Sequence, residues 1–111
     1  MRDFKSVEVF FQVEKPDYVV CAAATVGGIL ANSNYPVQFL ENNLYIQNNI
    51  LHFSNKYNVK KLILLGSACI YPKYCDQPIK ETSLMTGLLE PTNDAYGVAK
   101  IAGIKLCESY H

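Results

Sequence analysis

Two short runs of β-forming apolar residues constrain this chain more than anything else in it. They are Tyr18-Val19-Val20-Cys21-Ala22, entered through Asp17, and Leu62-Ile63-Leu64-Leu65, entered through Lys61 and followed by Gly66 and Ser67. Each run is too short for an ordinary helix, and the lack of polar alternation predicts strands over 17–22 and 61–67 that are covered on both faces. Between them Phe39, Leu40, Leu44, Ile46, Ile50 and Leu51 step at three and four residues, which predicts a long amphipathic helix ending near 55–58. Strand, crossover helix and strand together form the unit of a parallel sheet.

The flanks agree with that frame. Phe4, Val7, Phe10, Phe11 and Val13 recur at helical intervals and predict a helix that Lys15-Pro16 terminates. Residues 23–28 form a loop of small side chains. Residues 72–93 contain Pro72, Pro78, Gly87 and Pro91 without a sustained period, which predicts a long loop with at most a short helical turn. Val98, Ile101, Ala102 and Leu106 then mark a third helix over 93–110, with Asn93 and Asp94 as candidate N-caps. The fold class is α/β, and two strands make only part of a doubly wound sheet.

Composition excludes several partners. Ten Lys plus Arg balance ten Asp plus Glu, which argues against a nucleic-acid or anionic-membrane surface. The longest apolar stretch, 19–31, is broken by Thr25, Gly27 and Gly28 and falls short of the ~20 residues of a membrane helix. The N-terminus carries no apolar signal core. Cys21, Cys69, Cys75 and Cys107 lack the spacing of a zinc site, so no metal centre is expected, and reduced thiols in a cytoplasmic protein are the plain reading.

In open parallel sheets ligands bind beyond the carboxyl ends of the strands, here residues 22–28 and 66–71. The first segment is almost free of side chains, which suits either close approach of a ligand to the backbone or tight packing of strand on helix. In the second, Ser67 stands at a strand end. Taken singly it is a cap or a loop hydrogen-bonder, and no Gly-x-Ser-x-Gly elbow supports a serine hydrolase. Tyr96 and Lys100 add a partner. At i and i+4 they share a helix face, and an ammonium beside a phenol favours the phenolate and draws its pKa down from about 10 toward acid/base work.

Ser67, Tyr96 and Lys100 together resemble the catalytic triad of the extended short-chain dehydrogenase/reductases, the NAD-dependent epimerase/dehydratase family. Four motifs narrow the resemblance to its GDP-L-fucose-forming branch: Ala22-Ala23-Ala24-Thr25-Val26-Gly27-Gly28-Ile29, Leu65-Gly66-Ser67-Ala68-Cys69-Ile70-Tyr71-Pro72-Lys73, Glu90-Pro91-Thr92-Asn93, and the helix from Ala99-Lys100-Ile101-Ala102 to Tyr110. The resemblance implies C3 and C5 epimerisation of GDP-4-keto-6-deoxy-D-mannose followed by NADPH-dependent reduction at C4. By position it makes Tyr96 the proton donor to the C4 oxygen, Lys100 a cofactor ligand that tunes Tyr96, Ser67 the group that orients the ketone, and Cys69 an acid/base of the epimerisation. It places Ala22, Ala23, Ala24, Leu65, Gly66, Ser67, Ala68 and Lys100 at the NADP cofactor, and gives Asn43 a structural role.

Departures accompany it. Thr25 stands where the family usually has lysine, and Ala68 where a second serine is common. The second epimerisation residue, a histidine, has no counterpart, since His52 and His111 occupy other places. The six glycines form no phosphate fingerprint. Residues 1–111 therefore read as the central part of an NAD(P)-binding Rossmann domain, with the first strands and the substrate domain outside it, expected to be poorly soluble and inactive alone. The resemblance further implies a GDP-sugar substrate and a homodimer formed through helices such as 37–55 and 94–110. The alternatives are another NAD-dependent sugar-nucleotide epimerase or dehydratase, and a non-catalytic remnant of the fold.

Overall fold

The computed structural model describes residues 1–111. Along the chain run α1 (Phe4–Glu14), β1 (Tyr18–Cys21), α2 (Ile29–Asn34), α3 (Pro36–Lys56), β2 (Lys61–Leu64) and α4 (Asp94–Tyr110), with single 3-10 turns at Ala68–Ile70 and Glu81–Ser83. The Asp3 carboxylate starts α1 by accepting the Ser6 N–H at 2.6 Å, and Lys15 ends it in the left-handed region, φ 43°, ahead of Pro16. Pro36 opens α3, where its fixed φ suits the first turn and its missing N–H is not needed.

The two strands pair in parallel, Val19 opposite Leu62 and Cys21 opposite Leu64. One more bond, Leu65 N–H to the Cys21 carbonyl at 3.2 Å, carries the ladder just past β2. Side chains alternate across the sheet. Val19, Cys21, Leu62 and Leu64 face the helices, where Val7 and Phe11 of α1 meet Ile46, Ile50 and Phe53 of α3. Phe11 and Phe53 are wholly buried and hold the centre of this layer. Tyr18 and Val20 point the other way and are 69% and 62% exposed. The expected cover on both faces is thus found on one only, because α1, α3 and α4 all lie on the same side.

Two further expectations change. The second strand stops at Leu64, with one further ladder bond at Leu65, and 66–67 lead into the 68–70 turn. Residues 29–34, which begin within the apolar stretch 19–31 and for which no element is expected, form the short helix α2, which buries no residue of its own and has no side-chain cap. The 72–93 segment is a loop with one short turn, as its composition suggests.

Helices α3 and α4 approach closely at Gly103, where an added Cβ would lie 2.6 Å from Gln47 Oε1 and 2.9 Å from Leu64 Cδ2. Buried Gln47 spans the same seam, donating from Nε2 to the Ala99 carbonyl at 2.6 Å. That contact fixes where α4 sits along the sheet, and with it Tyr96 and Lys100.

Candidate active site

The site forms where α4 begins. Its first turn is seated on the 68–70 turn so tightly that a Cβ at Gly97 would meet the Cys69 carbonyl oxygen at 2.6 Å. Glycine is the residue that allows this approach. Ser67 precedes the turn in extended conformation, and its Oγ accepts the Cys69 N–H at 3.3 Å. Serine at this strand end therefore shapes the turn, while its own hydroxyl proton stays free to be donated.

Lys100 lies one helical turn beyond Tyr96 and is only 4% exposed. Its Nζ donates to the Leu65 carbonyl at 3.0 Å, which ties α4 to the end of β2, and lies 5.9 Å from the centre of the Tyr96 ring. An ammonium carries three N–H donors and one is engaged, so a buried charge keeps donor capacity for another group. No hydrogen bond joins Ser67, Tyr96 and Lys100 to one another.

The small-residue loop after β1 is held by buried Asn43. Its Oδ1 accepts the Thr25 N–H at 2.8 Å and its Nδ2 donates to the Thr25 carbonyl at 2.9 Å, so Thr25 is gripped through its backbone. Asn32 of α2 adds a bond from Nδ2 to the Gly27 carbonyl at 3.1 Å. This loop, the Cys69 turn and the start of α4 enclose a cavity of about 210 Å³, lined among others by Gly27, Gly28, Asn32, Cys69, Asn93 and Tyr96. Larger hollows, about 380 Å³ between the ends of α3 and α4 and about 640 Å³ within 74–86, hold none of the strand-end groups.

Cys69 and Tyr96 thus share one cavity. Ser67, Lys100, Leu65, Gly66, Ala68 and Ala22, Ala23 and Ala24 are outside its lining. Ala23 packs against the core instead, while Ala22, Leu65, Gly66 and Ala68 lie exposed at the strand ends. His52 is exposed on α3 and packs its ring at a tilt against Phe4, centroids 5.6 Å apart, away from the cavity.

Apart from its place in the Glu90-Pro91-Thr92-Asn93 motif, Asn93 was legible only as a helix cap. It occupies the N-cap position of α4 but makes no capping bond. Its Nδ2 donates to Cys69 Sγ at 3.2 Å, and its Oδ1, like that of Asn32, is buried without a partner. The capping expectation is met in part by Asp94, whose Oδ1 accepts the Ala95 N–H at 2.6 Å. No local sequence signal separates a capping asparagine from one that bonds a sulfur across the chain.

Lys73 bonds Glu90 at 2.9 Å, staples the ends of the long loop, and holds the Glu90 carboxyl below its ordinary value. Burial pushes the Cys107 thiol up, helped by neighbouring Cys21 and Glu108. No three His, Cys, Asp or Glu residues converge as metal ligands, and no helix is long and apolar enough to cross a membrane.

Known proteins resemble this arrangement throughout. The family described as NAD dependent epimerase/dehydratase matches residues 1–111. GDP-L-fucose synthase 1 of Arabidopsis thaliana is 58% identical over 94% of this chain and 32% of its own length. GDP-L-fucose synthase of Escherichia coli K12 is 53% identical over 98% of this chain and 34% of its own. A GDP-mannoheptose C4 reductase from Campylobacter jejuni, solved with NADP bound, superimposes with a TM-score of 0.93 at 43% identity, over 98% of this chain and 32% of that one. The chain spans about a third of the length of the curated relatives it matches.

Proposed function

The chain belongs to the NAD dependent epimerase/dehydratase family, and from that membership we propose that it carries the proton-transfer centre of a GDP-L-fucose synthase. The reaction is epimerisation of GDP-4-keto-6-deoxy-D-mannose at C3 and C5, then reduction of its C4 ketone. The observation that carries this reading is the seating of Gly97 on the Cys69 turn, which makes Tyr96 and Cys69 walls of one cavity.

The residues present fit the nicotinamide and ribose part of NADP. Lys100 is a buried ammonium with one protein acceptor, so its remaining N–H groups suit ribose hydroxyls. At the cavity that Tyr96 lines, Gly28 leaves backbone open to a ligand, with nothing within 4 Å of its Cβ position. Bound there, NADPH supplies the hydride for C4.

The chain's own groups handle the protons. Tyr96 delivers a proton to the C4 oxygen as the carbonyl becomes an alcohol. Ser67 donates its free O–H to the same oxygen and polarises the ketone. For epimerisation Cys69 moves the proton on the carbon beside the ketone: the C–H bond breaks, its electron pair passes into the enolate, and the oxygen that gains charge is held by Ser67 and Tyr96. Reprotonation on the other face requires a second acid, and no histidine of this chain lies at the cavity.

The substrate is then a GDP-sugar, the site that of a cytoplasmic enzyme, and the assembly a homodimer through α3 and α4, whose Tyr45 and Val98 are exposed apolar side chains. The test is NADPH oxidation by the intact natural chain. Oxidation that depends on the keto-sugar and falls about 100-fold or more in Tyr96→Phe is expected for loss of a general acid. No keto-sugar-dependent oxidation by the unaltered protein would end this reading.

A further inference from the structure

Asn93 spends its side chain in a way that helix stability does not explain. An asparagine at an N-cap ordinarily accepts an N–H of the first turn and so stabilises its helix. Here that bond is absent, the amide N–H is turned onto Cys69 Sγ at 3.2 Å, and Oδ1 is left buried and unpaired. Both departures cost stability.

The surroundings of Cys69 show what the bond controls. Its N–H is held by Ser67 Oγ and its carbonyl is pressed by Gly97, so the backbone is fixed from both sides. What remains free is the side-chain torsion that aims the sulfur. Asn93 Nδ2 is the one group hydrogen-bonded to that sulfur.

We propose that Asn93 is a positioning residue for Cys69, its amide N–H aiming the sulfur into the cavity shared with Tyr96 and steadying the charge the sulfur bears as a thiolate, before it takes a proton and after it gives one up. The proposal rests on the reading of Cys69 as an acid/base of the epimerisation. It also accounts for the missing cap, since one amide cannot serve the helix and the sulfur together.

Asn93→Asp is the discriminating variant. It keeps the size and the capping ability of asparagine but replaces the donor with an acceptor, whereas Asn93→Ala removes both. In the intact natural chain two rates are read: alkylation of Cys69 by iodoacetamide, located by peptide mass spectrometry, and uptake of deuterium from D2O into the keto-sugar without NADPH. Alkylation proceeds through the thiolate, so both rates should fall about tenfold in Asn93→Asp, the effect of one lost hydrogen bond to a charged group. Melting temperature and NADPH affinity should stay within about twofold-equivalent change, because neither depends on where the sulfur points. Alkylation at the unaltered rate in Asn93→Asp overturns the proposal, as does a loss of NADPH affinity equal to the loss of exchange, which a structural role would produce. Should the unaltered protein not act on the keto-sugar at all, the function proposed above fails, and the alkylation comparison still decides the role of Asn93.

Discussion

Replacing Gly97 by alanine tests whether the contact between α4 and the Cys69 turn builds the site. The new Cβ would stand 2.6 Å from the Cys69 carbonyl oxygen and 2.9 Å from Leu89 Cδ1. Leu89 can rotate, but the carbonyl is backbone. Relief to ordinary contact requires α4 and the turn to part by about 0.5–1 Å. Overpacking of this kind costs about 1–3 kcal/mol, while alanine returns about 1 kcal/mol in a helix interior relative to glycine. The net loss is about 0–2 kcal/mol, a fall in Tm of about 0–16 °C for a domain of about this size. Catalysis should suffer far more, since a displacement near 1 Å between reacting groups costs up to about 100-fold. NADPH oxidation with the keto-sugar and thermal melting, measured on the same preparation, give the comparison. Gly28→Ala is the stability control, because nothing lies within 4 Å of its Cβ position, and its Tm should not move. Turnover within about twofold of the unaltered protein in Gly97→Ala would refute the claim that this close approach assembles the site.

Other perturbations follow from the same contacts. Asn43→Ala strands the part-buried N–H and C=O of Thr25, and at about 1–3 kcal/mol for each group left unpaired should lower stability in urea unfolding by up to about 2–6 kcal/mol. Lys100→Met removes a buried charge, so Tm should hold or rise while NADPH affinity, read by fluorescence titration, falls at least about tenfold. Glu90 is lowered in the folded chain chiefly by its hydrogen bond to Lys73. Its contribution is therefore fully present above the ordinary carboxyl value of 4.5 and is lost as pH falls through the depressed folded value. The Tm difference between the unaltered chain and Glu90→Gln should persist from neutral pH to about 5, vanish in stronger acid, and shrink with added salt.

Much of the fold could be read along the chain because its signals are local. The spacing of Phe39, Leu44, Ile46 and Ile50 encodes α3 within a few turns, and Lys15-Pro16 ends α1 from immediately beside it. Helix α2 escaped because six residues with no buried position leave no period to detect. The strands were found, and within these residues only one face of their sheet is covered, since an apolar run says that a strand seeks burial and not which segments supply it.

The candidate site divides the same way. Ser67, Tyr96 and Lys100 stand out by type and spacing, and Gly97 within that motif is where α4 must approach another backbone. The partners of these residues are a different matter. Asn43 reaches Thr25 across 18 residues, Asn93 reaches Cys69 across 24, and Lys100 reaches Leu65 across 35. The chain alone determined which elements form and which chemical groups they carry, because periodicity, caps and breakers act over a few residues. Only the packing of distant segments, above all α4 against α3 and the Cys69 turn, decided which groups meet, that Ala23 packs against the core rather than at the cavity, and that the Asn93 amide serves a sulfur and not its own helix. Such contacts are settled by close fit between distant segments, and no local pattern records them.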